Sequence, residues 1–546
     1  MIDPMSANVS AMTLDVVNTD LPSPAPRGVL GELREQFRQY DIRGVVSPDL
    51  LRHRIKQGDI LTSETRHLEW PERAELSLSL AYAVGCAYGA EILEKHVSKT
   101  KKLNIAIAYD ARLSGPALCE ALERGLRRMG LNVIKLGLVP TPVVYFATYE
   151  FSDEKEDETV HNGIICHGGI AVTGSHNPSS WNGFKMSFGH DSVYGDALQK
   201  LAHRVLEGDY SVHGVVPQAQ ETSAIVLDLS EHYLESVLDR LCLDDLSRLK
   251  ELKVVIDAGH GASGPLAERF FKRCGVELRS LYCEPNGLFP AHHPDPTVEK
   301  NLDDLKRAVT EWGADLGLAF DGDGDRLGVV DRKGVVLWGD QLLLLFAERI
   351  LAESPGSRII GEVKCSEILY DGVRRAGGIA EMWKVGHSLI KSRMKETGAP
   401  LAGEMSGHLF FADRFYGFDD AIYAGGRLLE RLIETEFDLS DWREALPLTY
   451  NTPELRVYCP DEYKNTVIDR FSEDFSKRFP LETIDGVRVK FSEGWGLVRS
   501  SNTQPVLVMR FEANSPDELA SYRDQVETWL KEEAPEVSFE LDPNHN

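Results

Sequence analysis

Four short clusters in this sequence combine residue types that can do chemistry. Asp321-Gly322-Asp323-Gly324-Asp325-Arg326 follows the apolar run Asp315 to Phe320. Three carboxylates alternating with glycines can fold onto one hard cation, and the glycines permit positive φ. An EF-hand is excluded: counting from Asp321, the sixth position is Arg326 rather than glycine and the twelfth is Arg332 rather than glutamate. A phosphatase with an aspartyl nucleophile also begins with Asp-x-Asp at a strand end, but its usual Thr or Val is here Asp325. The plain alternative is a solvated acidic turn, which leaves three closely packed acids repelling one another with no cation to offset them.

Thr173-Gly174-Ser175-His176-Asn177-Pro178 follows the apolar run GGIAV. The serine therefore sits on a turn at a strand end, where α/β folds place their ligands, with turn amides available to an anion. The same residue types also suit a simple polar turn. Gly403-Glu404-Met405-Ser406-Gly407-His408 adds a carboxylate that can accept from two adjacent sugar hydroxyls and an imidazole that can donate or shuttle a proton. A lone loop histidine is more often structural. Arg499-Ser500-Ser501-Asn502-Thr503 joins a guanidinium fork to hydroxyls and an amide, which suits a phosphate; a polar hairpin turn is its bland reading.

The elements that must position these clusters repeat along the chain. Ile105 to Gly137 reads as strand, Asp110-Ala111, Ser114-Gly115-Pro116, a helix ending at Gly130 and a second strand. The plan recurs from Val254, with Asp257-Ala258, Ser263-Gly264-Pro265, a helix, Gly275 and VELRSLY. A more distant copy runs from Arg358 through Ser366 as N-cap and Gly377-Gly378 to IAEMWKV. Strand, crossover helix and strand in tandem mean βαβ units and largely parallel sheets. After Asp441, TPELRVYCP and VRVKFSEGWGLVRSSNTQPVLVMRFEA alternate like half-exposed strands, and Ser515-Pro516-Asp517-Glu518 is a capping box opening a helix. The expected fold is three tandem related α/β domains with mixed, largely parallel sheets plus a C-terminal α+β domain. The expected segments are a disordered arm over 1–30 and domains over 31–223, 224–335, 336–447 and 448–546.

Composition narrows the function classes. At roughly 150 residues per domain, 546 residues predict three to four domains. A net charge of −26 repels phosphate backbones and anionic lipid, so neither nucleic acid nor a membrane surface is an expected partner. No apolar run reaches the ~18 residues of a spanning helix. The eight cysteines include no C-x-x-C pair, which predicts reduced, mostly buried thiols. The first 29 residues lack the charged and apolar regions of a secretory signal, so the expected location is cytoplasmic. Val46 to Glu64 reads as an irregular insertion and Phe151 to Glu158 as a solvated acidic loop.

Four such clusters, in the chain order Ser175, Asp321, Glu404, Arg499 on a tandem-repeat chain, resemble the α-D-phosphohexomutase family, most closely its phosphomannomutase/phosphoglucomutase branch, from about Phe37 to Glu512. TGSHNPSSWNGFKM is similar to that family's phosphoserine loop, DGDGDR to its magnesium loop, GEMSGH to its sugar loop and RSSNTQPVLVMRFE to its phosphate-binding loop. The resemblance implies four domains around a central cleft. It implies that Ser175 is the phosphorylated serine and that Asp321, Asp323 and Asp325 hold Mg²⁺ with a phosphoserine oxygen. Arg326 becomes a cleft arginine, Glu404 and Ser406 sugar contacts with His408 beside them, and Arg499, Ser501, Asn502 and Thr503 the clamp on the unreactive phosphate. Tyr40, Arg43, Lys185, Lys364 and His387 fall where that branch lines its cleft, and Lys185 and His408 are candidates for proton transfer. The N-terminal arm, the Val46 to Glu64 insertion and Ser500, where some relatives have alanine, depart from the pattern.

The implied activity interconverts hexose 1-phosphate and hexose 6-phosphate of mannose and glucose. It would run through a hexose 1,6-bisphosphate, also the activator, in a monomer or weak dimer. Met405 favours this branch over phosphoglucosamine mutases, in which glutamine is common at that place. A catalytically silent sugar-phosphate-binding scaffold is the non-enzyme alternative.

Overall fold

The computed structural model describes residues 37, 41–46, 76–96, 103–152, 164–213, 222–243, 246–434, 437–501 and 504–539. The N-terminal arm, the insertion beyond Val46 and most of the acidic segment expected near 151–158 lie outside the described residues. The described residues of Met1–Val336 and Arg414–Glu436 form one compact unit, and those of Leu337–Asp413 and Phe437–Asn546 form a second.

In the first unit, β1 (Ile42–Val45), β2 (Asn104–Tyr109), β3 (Asn132–Leu138), β4 (Gly168–Val172), β5 (Trp181–Phe188), β6 (Asp191–Ser192) and β7 (Ala224–Val226) make a sheet ordered β1-β5-β4-β2-β3-β7, with β6 beside β5. β2 pairs in parallel with both β3 and β4, while β4 and β1 run antiparallel to β5. The central strand β2 is a near-continuous apolar run because helices cover both faces of such a sheet. The second repeat gives β8 (Lys253–Asp257), β9 (Glu277–Leu281), β10 (Leu316–Phe320), β11 (Leu327–Asp331) and β12 (Val336–Leu337), in the order β12-β11-β10-β8-β9. Gly130 and Gly275 take positive φ after helices Gly115–Arg128 and Gly264–Cys274, as their sequence positions predict.

Chain order and packing part company at helix Ala421–Leu432. It follows the third repeat in sequence but packs on β11 and on helix Gly264–Cys274 of the second. Asp420 caps this helix by accepting from the Tyr423 amide at 3.0 Å, and both its oxygens accept from the Tyr233 hydroxyl at 2.9 and 2.8 Å. Burial lifts its pKa to about 7, the Asp419 charge pushing the same way against the hydrogen bonds. Between about pH 4 and pH 7 the folded protein thus holds a proton that the unfolded chain has released, so rising pH lowers stability across this window. Asp420→Asn keeps the cap and is expected to remove about 4 kcal/mol of that decline. Thermal or urea unfolding of both proteins from pH 4 to 8 checks this, and parallel pH profiles would refute it.

In the second unit, β13 (Arg358–Glu362), β14 (Ile379–Trp383), β15 (Leu401–Gly403) and β16 (Leu409–Phe411) form the third sheet, ordered β14-β13-β15-β16. β13 is parallel to β14 and β15, and Ser366 caps the crossover helix through the Ile368 amide. The last sheet is antiparallel. It comprises β17 (Tyr450–Asn451), β18 (Leu455–Tyr458), β19 (Leu481–Glu482), β20 (Val487–Lys490), β21 (Gly494–Ser500) and β22 (Val506–Ala513). Helices Asp461–Ser476 and Pro516–Glu533 accompany it, the second opened by the expected Ser515 cap.

One expectation needs correcting here. β22 is buried along its whole length rather than half exposed. Its polar residues are internally paired: Glu512 accepts from Trp495 Nε1 at 2.9 Å and the Glu367 amide at 3.1 Å, and Arg510 donates to the Lys364 carbonyl. Seven of the cysteines are buried, Cys242 is exposed, and all eight thiols are free. Among the described residues no helix is long and apolar enough to cross a membrane.

Candidate active site

In the first unit, β4 ends at Val172 and the chain turns through Thr173-Gly174 to Ser175, which is fully buried with φ near 50°. Such a backbone costs a non-glycine residue about 1–3 kcal/mol and persists only where surroundings impose it. The Ser175 amide donates to Thr173 Oγ1 at 2.7 Å, and that hydroxyl donates to Asp110 Oδ2 at 2.7 Å. Ser175 Oγ lies 3.2 Å from His176 Nδ1 and donates to Asp321 Oδ2 at 3.1 Å.

The acidic cluster is the turn joining β10 to β11, whose pairing closes at Phe320 opposite Leu327. Asp321 Oδ1 accepts the amides of Gly324, Asp325 and Arg326 at 3.0, 3.1 and 3.2 Å, which folds the turn around it. Gly322 is needed because a Cβ there would lie 2.5 Å from the Ser175 carbonyl oxygen, so the two loops meet backbone to backbone. Asp321, Asp323 and Asp325 are all buried and offer oxygens within 4.8 Å of one another. Burial and the neighbouring Asp323 and Asp325 charges drive the Asp321 pKa well above the ordinary carboxylate range.

Cations face this cluster. Lys185 on β5 donates to Asp323 Oδ2 at 2.7 Å and to Asp325 Oδ2. Burial opposes its charge, but Asp323 and Asp325 raise its pKa, which keeps it an ammonium. Arg43 on β1 pairs with Asp41 at 2.6 Å; burial opposes its charge too, while Asp41, Asp323 and Asp325 lift its pKa. Arg326 Nε stands 4.0 Å from Asp321. Asp323 Oδ1 is buried with no hydrogen-bond partner. An all-oxygen donor set with one carboxylate oxygen unsatisfied fits a hard divalent cation.

In the second unit, Glu404 follows β15 and is buried, with Oε1 accepting the Gly386 amide at 2.7 Å and Oε2 2.7 Å from His408 Nδ1. Burial works against its charge, but His408, Lys364 and that amide hold its pKa below the usual value. Ser406 Oγ lies 3.3 Å from His408 Nδ1, and the His387 ring centroid 5.6 Å from that of His408. Lys364 Nζ pairs with Glu454 at 3.3 Å. Arg499, at the end of β21, pairs with Asp485, whose Oδ2 also accepts the Val385 amide at 3.0 Å. Ser501 Oγ accepts the Gln504 amide at 3.2 Å, and Tyr40, Asn502 and Thr503 lie outside the described residues.

The structure therefore gathers Ser175, Lys185, Arg43, Asp321, Asp323, Asp325 and Arg326 in the first unit, and Glu404, Ser406, His408 and His387 in the second. Sequence reasoning missed Thr141, which donates to Asp323 Oδ2 at 2.6 Å, and the Asp485 partner of Arg499. It also missed Arg112. Nothing in their local sequence marks Thr141 or Asp485, whereas Arg112 stands two residues after Asp110, which the repeat had already aligned with Asp257.

Comparison with known proteins adds four matches. Residues 66–210, 231–334 and 338–450 match the families described as phosphoglucomutase/phosphomannomutase alpha/beta/alpha domains I, II and III, and 454–528 match the C-terminal domain. A Pseudomonas putida protein named phosphomannomutase/phosphoglucomutase is 42% identical over 504 residues, 92% of this chain and 97% of its own. A Neisseria meningitidis phosphoglucomutase is 39% identical over 496 residues, 90% of this chain and 96% of its own. The X-ray structure of a phosphoglucomutase/phosphomannomutase family protein from Burkholderia thailandensis aligns with a TM-score of 0.77 at 39% identity, covering 92% of this chain and 98% of that one.

Proposed function

This chain belongs to the phosphoglucomutase/phosphomannomutase family, and on that premise we propose that Ser175 is the residue through which it moves phosphoryl groups. The enzyme is an isomerase that reversibly interconverts hexose 1-phosphate and hexose 6-phosphate of mannose and glucose. The observation that carries the serine assignment is the 3.1 Å contact between Ser175 Oγ and Asp321, which joins the serine loop to an acidic loop 146 residues away.

Phosphorylated Ser175 gives its phosphoryl group to the free hydroxyl of a hexose monophosphate. The bond from phosphorus to Ser175 Oγ breaks, a bond from phosphorus to the sugar oxygen forms, and the hydroxyl proton leaves to a base. Asp321, Asp323 and Asp325 would hold Mg²⁺, which when bound supplies charge stabilisation for the transferring oxygens. Arg326 offsets negative charge beside them. Lys185, kept an ammonium by its aspartates, can donate a hydrogen bond to the departing serine oxygen and offset its charge, and it is a candidate for the proton transfer. His176, 3.2 Å from Ser175 Oγ, can take or return that proton. The product, a hexose 1,6-bisphosphate, turns so that its other phosphate returns a phosphoryl group to Ser175. The same bisphosphate, supplied as activator, loads the serine initially.

Arg43, Lys364 and His387 bind the substrate's anionic and hydroxyl groups, together with Tyr40. Arg499, Ser501, Asn502 and Thr503 clamp the phosphate that does not react. Glu404, Ser406 and His408 read sugar hydroxyls, His408 also handling protons. The protein acts on these small phosphosugars as a cytoplasmic monomer or weak dimer, without nucleic acid or membrane partners.

Intact-mass analysis with peptide mapping tests the carrier. Phosphate on Ser175 is the expected result, and hydroxylamine-labile phosphate on Asp321 would overturn it. Specificity gives a second test, because mannose and glucose differ only at the 2-hydroxyl and Glu404 and Ser406 are assigned to the neighbouring hydroxyls they share. Catalytic efficiencies for mannose 1-phosphate and glucose 1-phosphate should therefore agree within about two orders of magnitude. Glu404→Ala should lower kcat/KM for both by roughly 10- to 100-fold. Coupled assays on each sugar check this, and loss of one sugar alone would show Glu404 reading the distinguishing hydroxyl.

A further inference from the structure

Arg112 is among the largest side chains shut completely inside this protein, and the carbonyl oxygens to which its guanidinium donates all belong to one loop. Its Nη2 donates to the carbonyl oxygens of Ser175 at 2.7 Å and Asn177 at 2.5 Å. Its Nη1 donates to those of Trp181 at 3.0 Å and of Pro178. Its Nε pairs with Asp110 Oδ2 at 3.0 Å, and its guanidinium lies over the Phe289 ring at 5.2 Å. One planar fork thus holds four carbonyls from 175–181. Asp110 holds the same turn from the other side, through the Thr173 hydroxyl at 2.7 Å and the Gly174 amide at 3.3 Å. Gly174 permits the arrangement, since a Cβ there would lie 2.6 Å from the guanidinium carbon.

We propose that Arg112, braced by Asp110, is a positioning residue that fixes Ser175 in its left-handed backbone conformation and so aims Oγ at the acidic loop. This rests on the assignment of Ser175 as the phosphoryl carrier. A serine at φ near 50° has easier conformations to fall into, and the four carbonyl bonds supply the surroundings that deny them. The fork is what matters, because a lysine at 112 would keep the charge opposite Asp110 but cannot reach four carbonyls in one plane.

The arrangement belongs to the repeat. In each copy the acid at the end of the first strand, or just past it, accepts the amide two residues on: Arg112 to Asp110 at 2.9 Å, Gly259 to Asp257 at 2.9 Å, and Lys364 to Glu362 at 2.6 Å. Its remaining capacity then goes to a neighbouring loop. In the third copy Glu362 reaches the Met405 amide of the sugar loop at 3.3 Å, as Asp110 reaches the serine loop in the first. In the second copy Asp257 instead binds His292 Nε2 at 3.0 Å. In the first copy the residue two on from the acid, Arg112, also caps the neighbouring loop's carbonyls.

The test compares wild type, Arg112→Lys and Leu122→Ala, the last being a core substitution in helix Gly115–Arg128. Each protein is loaded with glucose 1,6-bisphosphate, its phosphoenzyme is counted by intact mass, and single-turnover transfer to glucose 1-phosphate is followed by rapid quench. Arg112→Lys is expected to lose on the order of 10²-fold in rate per phosphoenzyme, with KM for glucose 1-phosphate little changed. Leu122→Ala is expected to melt earlier yet transfer at the wild-type rate per phosphoenzyme, since unfolded molecules drop out of the count. A wild-type rate in Arg112→Lys, or an equal loss in Leu122→Ala, overturns the proposal. Should Arg112→Lys not fold, Gly174→Ala displaces the guanidinium while keeping both charges and is expected to show the same loss. A wild-type rate there overturns the proposal equally. A wild-type protein that accepts no phosphate on Ser175 would instead overturn the carrier assignment.

Discussion

Ser175→Ala is expected to lose glucose 1-phosphate turnover by roughly four powers of ten or more, while folding as the wild type does. The loss is large because the reaction has no other route: without Oγ no phosphoryl group can be stored between the two half-reactions. The fold should survive for three reasons. Alanine carries the same Cβ, so the left-handed backbone at 175 is no more strained than before. The Arg112 and Thr173 bonds to this turn go to backbone atoms that alanine retains. The bonds lost are the hydroxyl's donation to Asp321 and its contact with His176 Nδ1, each worth about 1 kcal/mol. Coupled assays, a thermal melt and an intact mass lacking phosphate check the three parts. Activity above about 1% of wild type, with phosphate found on another residue, would move the carrier elsewhere.

What the sequence made legible was local. The strand–helix–strand repeats stand out because glycine at a helix end and serine at a helix start act through neighbouring backbone, as Gly275 and Ser366 do. The acidic loop was legible for the same reason: Asp321 folds its own turn through amides at most five residues away. What stayed hidden was long-range. Thr141 meets Asp323 across 182 residues, and Arg112 meets Ser175 across 63. Neither carries a local pattern, since a threonine before a proline and an arginine after a strand are ordinary in isolation. The polar residues of β22 misled for a related reason. Arg510 and Glu512 read as a solvent-facing alternation, whereas their partners Lys364, Glu367 and Trp495 come from elsewhere in the chain and pair with them in the interior. Periodicity reports which faces are polar, and only tertiary contacts decide whether a polar face meets water.

Asp323→Asn should separate activity from stability, moving them in opposite directions. Asp323 is one of three buried carboxylates, and its charge is among the forces that push Asp321 above its ordinary pKa. Neutralising it relieves that repulsion. The amide oxygen can still accept from Thr141, and Lys185 keeps its pairing with Asp325. In metal-free buffer the melting temperature should therefore equal or exceed that of wild type. Catalysis should suffer for the complementary reason. The unsatisfied Oδ1 of Asp323 is a free anionic oxygen suited to a divalent cation, and an amide there offers less charge to hold one. The expected fall in kcat is on the order of 10³-fold, with a higher Mg²⁺ concentration needed for half-maximal rate. Calorimetric Mg²⁺ titration of the purified protein gives a reading that does not depend on turnover, and it should show weakened binding. A variant that melts early and loses activity in proportion would make Asp323 a structural residue. One with unchanged Mg²⁺ affinity would show that the three aspartates hold no metal, and that Lys185, Arg43 and Arg326 alone balance their charge.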